Sequence, residues 1–246
     1  MFNFFLISII LFHCSITQNK SSKNHWIVWN IGQGQWVTHV TADFCLHYDV
    51  GGEIGSFQLI KDKLIQQCSF KKNHIFLSHW DFDHIINIPN LAKTFEQVCW
   101  QTRPGLRGKT NATILKITNL KIPYCTQQFL RINQWQPLTG KSTNDFSVVS
   151  FDDSFLLPGD STILAEKKWT KEFKIINQTR ILVLGHHGSR TSTSVGLLNQ
   201  LPHLQLAIAS ARKARYGHPH AEVLLRLQKN KTPVLRTEDW GSIWFL

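Results

Sequence analysis

Ser78-His79-Trp80-Asp81-Phe82-Asp83-His84 follows directly on the apolar run Ile75-Phe76-Leu77. The apolar run reads as a buried strand, so the polar stretch is the loop leaving it. Two imidazoles and two carboxylates within six residues are costly to desolvate beside a core strand. A divalent cation removes that cost, and His and Asp are its usual ligands. The stretch is therefore expected to be a metal-binding loop, with His79 and Asp81 turned toward one ion and Asp83 and His84 toward a second. Trp80 and Phe82 alternate with these residues, either to pack beneath the loop or to stack on bases.

Such a loop needs partners from elsewhere in the chain. Asp160 stands just past the apolar run Phe155-Leu156-Leu157, behind a glycine that permits close approach, and is the candidate bridging carboxylate. Gly185-His186-His187-Gly188-Ser189 follows another apolar run. Its adjacent histidines are expected to point in different directions, one to metal and one to substrate. Ser189 either caps the next segment or hydrogen-bonds a phosphate. His218, in Tyr216-Gly217-His218-Pro219, is a further ligand or proton-transfer candidate.

A chain of 246 residues with 42% hydrophobic and 17% charged residues is globular and can bury a large core, which excludes a disordered chain. Its formal charge is +11, and acids taken up by a metal leave the surface more basic still. That balance suits a polyanion, nucleic acid or an anionic membrane face. Arg190, with Arg212, Lys213 and Arg215, either holds a phosphate backbone or lines a solvated loop.

Residues 1–23 read as a leader and 24–246 as the hydrolase domain. The apolar block 4–16 is too short to span a bilayer comfortably. It has the length of a signal-peptide core, or is the remnant end of a membrane helix. Both of these readings put the domain on the extracytoplasmic side, secreted, periplasmic or membrane-tethered; a third reading, a buried first strand, is disfavoured by the polar stretch Gln18–Asn24 that follows. Cys45, Cys68, Cys99 and Cys125 form two disulfides in such a compartment or remain buried thiols, and no CxxC spacing supports a zinc knuckle.

Short β-rich runs alternate with turns and a few helices. Strands are expected at 26–31, 36–42, 44–49, 75–77, 146–151, 154–157, 179–184, 204–210, 234–237 and 242–245, with further ones at 113–117 and 121–122. Helices are expected at 54–67, 85–95 (interrupted or re-entered at Pro89), 166–174, 195–200 and 220–229, and a turn at Asp239-Trp240-Gly241. Strands that end in functional residues and are wrapped by helices fit an α/β fold of αββα type.

The ordered motifs add a resemblance. His79-x-Asp81-x-Asp83-His84 is a variant of the His-x-His-x-Asp-His signature of the metallo-β-lactamase superfamily. The wider set is similar to the soluble C-terminal domain of the ComEC family of DNA-internalisation competence proteins. It comprises Asn30-Ile31-Gly32-Gln33-Gly34-Gln35, Asp49-Val50-Gly51-Gly52, the metal loop, Asn144-Asp145-x-Ser147, Gly159-Asp160, Gly185-His186-His187-Gly188-Ser189-Arg190-Thr191-Ser192, Tyr216-Gly217-His218-Pro219 and Arg236-Thr237 with Trp240-Gly241-Ser242-Ile243.

The resemblance implies an αββα four-layer sandwich and one or two divalent ions, zinc or manganese. It further implies phosphodiester hydrolysis on imported DNA, single-stranded by expectation, beside the membrane competence machinery. Carried over by position, His79, Asp81, Asp83, His84 and Asp160 are metal ligands. His218 is the expected last ligand, and His186 or His187 the proton donor or phosphate contact; the reverse assignment stays open. Asp81 also serves to orient the ions or the attacking water.

The departures are specific. No histidine occurs between His84 and His186, so Asn144, Asp145 or water takes the place of the superfamily's mid-chain ligand. Gln35 replaces the acid of the usual Gly-Gln-Gly-Asp turn, and Ile86-Asn87 replaces the usual Gly-Gly. Two other functions fit the same residues: a small-phosphodiester hydrolase of the superfamily, and a degenerate DNA-binding or partner-docking module.

Overall fold

Alternation of side chains along short strands builds this molecule. In the computed structural model, which describes residues 24–106 and 110–246, twelve strands form two mixed six-stranded sheets. The leader 1–23, with Cys14, lies outside the described residues. The first sheet contains β1 (His25–Val28), β2 (Val37–Val40), β3 (Phe44–Tyr48), β4 (Lys72–Phe76), β5 (Val98–Thr102) and β12 (Ile243–Phe245), in the order β12-β1-β2-β3-β4-β5. The second contains β6 (Asn133–Trp135), β7 (Val149–Asp152), β8 (Phe155–Leu157), β9 (Ile181–Val183), β10 (Leu206–Ala209) and β11 (Val234–Arg236), in the order β11-β10-β9-β8-β7-β6.

Three buried clusters define four layers. Trp26 and Val28 of β1 meet Phe155, Leu157, Ile181, Val183 and Ile208 of the second sheet between the two sheets. Ile27 points to the opposite face, under the helix Ser56–Cys68 through Phe57, Ile60 and Leu64. Leu156, Leu182, Ala207 and Ala209 pack outward against Ala165, Trp169, Leu197, Val223 and Leu227 of the outer helices. The strict period of two is what lets each strand serve two layers at once. The result is an αββα sandwich, as the strand and helix pattern predicts.

Some local expectations fail for identifiable reasons. The expected strand at 113–117 is the helix Ala112–Thr118: Asn111 accepts a hydrogen bond from the Ile114 N–H and caps it. Ile114 and Ile117, one turn apart, face the first cluster. Residues 121–122 form no strand; Lys121 turns with φ at 50°. The helix expected at 85–95, with an interruption at Pro89, is two pieces, Phe82–Ile85 and Ile88–Thr94, but the break falls two residues ahead of the proline. Asn87 sits at the break, where its side chain donates to Gly51 O (2.7 Å) and Ser56 Oγ (3.1 Å). The Asp239-Trp240-Gly241 turn belongs to a helical turn, Thr237–Trp240. The four cysteines of the described residues form two disulfides, Cys45–Cys68 and Cys99–Cys125. Among the described residues no helix is long and apolar enough to cross a membrane.

The first sheet also carries an acid-sensitive element. His47 is wholly buried, with Trp36 Nε1 donating to its Nδ1 (3.2 Å) and its Nε2 facing Asn73 Oδ1 (3.0 Å). Burial pushes its pKa from 6.5 down to about 4, against the Asn73 bond. The unfolded chain therefore binds a proton in this window that the folded chain refuses, so stability is full above pH 6.5 and falls as the pH drops toward 4. Over that window His47 alone should remove about 3 kcal/mol. Urea unfolding from pH 7 to pH 4 should show a shallower loss for His47→Gln than for the unsubstituted protein; equal slopes would refute it.

Candidate metal centre

The metal loop leaves the C-terminal end of β4 and is clamped by two glycine turns. Asp83 O accepts from the backbone N–H of Gln35 (3.1 Å) and of Gly52 (2.9 Å), and His84 O from that of Val50 (3.0 Å). The approach is so close that a Cβ on Gly51 would lie 1.7 Å from Asp83 O, and one on Gly34 2.5 Å from it. This explains why the Gly32–Gln35 and Asp49–Gly52 motifs accompany the metal loop. Gly51→Ala should displace Asp83 and His84 and destabilise the fold by about 3 kcal/mol. A thermal melt and a metal titration check it; a variant equal to wild type in both would remove the clamp from the account.

Asp49 is the buried hub beneath the loop. Its carboxylate accepts from Ser78 N (2.7 Å), Ser78 Oγ (2.8 Å), Gln35 Nε2 (2.8 Å) and His84 Nδ1 (2.7 Å). Gln35, a departure from the usual acid, is thus the donor that an adjacent buried Asp49 requires. Sequence reasoning placed Asp49 in a motif but gave it no role. Its partners come from two separate stretches, the Gln35 turn and the metal loop, and no local spacing reveals them.

Above this hub the imidazoles converge. The Ser78 hydroxyl donates to Asp49, so His79 Nδ1, 3.0 Å away, donates to Ser78 Oγ. His84 Nδ1 is committed to Asp49, and His187 Nδ1 donates to Ser210 O (3.1 Å). All three rings therefore turn Nε2 inward, the orientation a supporting partner imposes on a metal-binding histidine. His79 Nε2 lies 3.7 Å from Asp160 Oδ2 and 3.5 Å from Asp81 Oδ2. His84 Nε2 is 3.0 Å from Asp160 Oδ1 and 3.2 Å from His187 Nε2, and His187 Nε2 is 3.1 Å from Asp83 Oδ2.

Two groups, His79–His84–Asp160 and Asp83–His84–His187, each bring their ligand atoms within 4.8 Å of one another. His79 Nε2 and Asp160 Oδ1 are buried without an aligned hydrogen-bond partner. Inward lone pairs facing carboxylate oxygens at these distances repel unless positive charge sits among them. The donor set therefore fits divalent cations.

The same field shows in the protonation equilibria. Burial alone would lower His84, but the Asp160 and Asp49 carboxylates overrule it and raise its pKa well above the usual value. Burial likewise opposes a charged His187, and Asp160 and Asp83 raise it. Asp160, fully buried, is nevertheless held well below the usual carboxylate range by His84 and His187.

Asp160 is delivered by the residue before it. Gly159 has φ at +56°, and a Cβ there would stand 2.7 Å from the Ser78 Cβ. The histidine pair is also set by backbone conformation. His186, His187 and Gly188 have φ of 48°, 57° and 86°, a left-handed run that non-glycine residues rarely adopt. It sends His187 inward and His186 to the cleft, where His186 Nε2 is 3.6 Å from Asp160 Oδ2 and Asn144 Nδ2 is 3.3 Å from its Nδ1.

His218 stands next to His186, ring centres 5.9 Å apart, outside both groups of ligand atoms. Burial with His187 and His186 nearby pushes its pKa down to about 4. Asp145 takes no place among these groups; its carboxylate accepts from Lys141 N, Ser142 N and the Thr162 hydroxyl.

The cleft over the centre measures about 390 Å³ and is rimmed by Gln33, Ile54, Phe82, Arg215 and Tyr216. Phe82 is partly exposed there, whereas Trp80 is buried and donates to Pro104 O (2.7 Å). Glu53, unremarked in the sequence, pairs with Arg212 (3.0 Å) and Arg215 (3.6 Å). Lys213 is exposed on the same short helix, its backbone N–H donating to Glu238. Ser189 Oγ is engaged by Thr191 (3.0 Å), and exposed Arg190 lies outside the cleft lining.

This architecture and ligand arrangement define a metallo-β-lactamase-fold protein. The fold matches YhfI from Bacillus subtilis, described as a metallo-beta-lactamase fold protein, at TM-score 0.56 and 12% identity over 91% of this chain and 99% of that one. It also matches CmlA beta-hydroxylase at TM-score 0.55 and 12% identity, over 91% of this chain and 54% of that one.

In sequence the chain resembles competence proteins. It is 28% identical over 222 residues to competence protein ComA of Neisseria gonorrhoeae, covering 89% of this chain and 31% of the relative. It is 25% identical over 245 residues to recombination protein 2 of Haemophilus influenzae, covering 96% and 30%. It is 36% identical over 92 residues to ComE operon protein 3 of Bacillus subtilis, covering 37% and 12%. The chain thus spans less than a third of each of these relatives. No family model matches it.

Proposed function

We propose that the protein is a metal-dependent phosphodiesterase that cleaves DNA, single-stranded by preference, in a DNA-uptake setting. The observation that carries this reading is the convergence of His79, Asp81, Asp83, His84, Asp160 and His187 on one cleft. The resemblance to competence proteins supports DNA as the substrate class, as does the +11 charge.

His79, Asp81 and Asp160 would hold one divalent ion and Asp83, His84 and His187 a second, with Asp160, which also faces His84 and His187, available to both. His187 takes the last-ligand role that the motif order gives to His218, because its Nε2 is the one beside Asp83. An oxygen-rich donor set suits manganese as well as zinc. When bound, the ions supply Lewis acidity toward phosphate oxygens and make water nucleophilic near neutral pH. His186, held beside Asn144 and Thr191 at the cleft, contacts the phosphate or hands a proton to the leaving oxygen. His218 supports the His186 ring. Arg212 and Arg215 meet the backbone after exchanging Glu53 for phosphate, with Lys213 beside them, which makes binding salt-sensitive. Ser189 and Arg190 shape the loop that carries the histidines.

The two disulfides suit an extracytoplasmic location, secreted, periplasmic or tethered to the membrane near the uptake machinery.

Incubation with single-stranded DNA and manganese tests the proposal. Cleavage should occur with the unsubstituted protein and be lost in Asp83→Ala and His84→Ala. Hydrolysis of a phosphodiester dye with DNA left intact would point instead to a small-molecule substrate.

A further inference from the structure

A second group of soft ligands lies at the edge of the first sheet, away from the cleft. His74 on β4 is the cross-strand partner of Cys99 on β5. Cys125 stands beside them, in a segment bonded to β5 by Trp100 N to Pro123 O (2.8 Å) and Cys125 N to Trp100 O (2.9 Å). A ring nitrogen of His74 and the sulfurs of Cys99 and Cys125 all lie within 4.8 Å of one another. His74 is buried and fixed edge-on by Phe44 and Phe129, at ring separations of 5.1 and 5.3 Å. The two cysteines are only partly buried, whereas Cys45 and Cys68 of the other disulfide are fully buried.

We propose that His74, Cys99 and Cys125 form a redox-gated zinc site, closed while the Cys99–Cys125 disulfide is intact and opened by its reduction. The backbone bonds of Trp100 hold both cysteines in place independently of the disulfide, so its opening leaves the ligands assembled around His74. Two thiolates and one imidazole are a soft donor set that suits zinc over manganese, with the fourth position left to water. The spacing of 26 residues between the cysteines hides this site from a CxxC search.

The reductant is a phosphine. Two electrons pass from phosphorus to the S–S bond, which breaks; water supplies the oxygen of the phosphine oxide and the two protons taken by the sulfurs. Binding of the metal then displaces those thiol protons.

Cobalt(II) is the probe, because thiolate-to-cobalt charge transfer in the near ultraviolet reports sulfur ligation alone. The candidate centre in the cleft contains no sulfur, so its cobalt is silent in that band. The oxidised Cys14→Ser protein, in which every remaining cysteine sits in a disulfide, should give no such absorption. After phosphine treatment it should rise to saturation at one additional cobalt per chain, and zinc should bleach it. His74→Phe, which preserves an aromatic ring between Phe44 and Phe129, should weaken cobalt binding at least about tenfold, and Cys99→Ser should abolish the band.

Absence of the band in the reduced protein would overturn the proposal, as would a band unchanged in His74→Phe. Unfolding on reduction, read by circular dichroism, would overturn it too, because the fold must hold the ligands. None of these readings depends on DNA cleavage.

Discussion

Asp160→Asn is expected to abolish hydrolysis while leaving the fold intact. The substitution keeps the shape of the side chain but removes the charge that His79, His84 and His187 all face. An amide offers a single weak oxygen donor and turns an N–H toward at least one imidazole lone pair. Turnover of single-stranded DNA should fall at least about 10³-fold, roughly 4 kcal/mol of transition-state stabilisation. The ion bound beside His79 should be lost with it. The far-ultraviolet spectrum and cooperative melt should persist, since Asp160 sits at the mouth of the sandwich and not in its three apolar clusters. Retention of a tenth or more of the activity would show that Asp160 is not shared between the ions.

Asp49→Asn should have the second largest effect, and it should be felt in both stability and metal affinity. Four donors meet in the Asp49 carboxylate, from Gln35, from the backbone and hydroxyl of Ser78, and from His84. An asparagine has one acceptor oxygen for them and presents its own N–H groups to the rest. Leaving buried donors unpaired in this way costs about 3–5 kcal/mol. The His84 ring loses the partner that fixes its tautomer, so ion affinity should drop about 10–100-fold. Denaturant unfolding and a metal titration on the same preparation separate the two effects. Wild-type ion affinity in a destabilised Asp49→Asn would limit Asp49 to a structural role.

How much of this was legible in the sequence follows from how local each signal is. The metal loop was legible because its four ligands are neighbours and follow an apolar strand. The sandwich was legible because one strand shows both its faces: Trp26 and Val28 go to the inter-sheet core, and Ile27 to the outer one. Asp160 was findable through Gly159, whose conformation brings the chain against Ser78.

The late histidines were not resolved, because their directions depend on three successive left-handed residues that composition does not encode. Asp49 was invisible as a hub, since its partners are separated from it by up to 35 residues. Glu53 was missed because only the fold brings Arg212 and Arg215 against it. The helix Ala112–Thr118 forms despite the β-branched Thr113, Ile114 and Ile117, because the Asn111 cap decides their conformation.

The central claim is that the cleft holds divalent ions between the metal loop and Asp160. Its most direct measurement is the metal content of the oxidised protein after dialysis against manganese or zinc, beside Asp83→Ala and Asp160→Asn. The account predicts two ions per chain in the unsubstituted protein and about one in Asp160→Asn, the ion beside His79 being the one lost. It further predicts that the ion lost in Asp83→Ala is the one beside His187. No bound metal in the unsubstituted protein, or full occupancy in both variants, would contradict it.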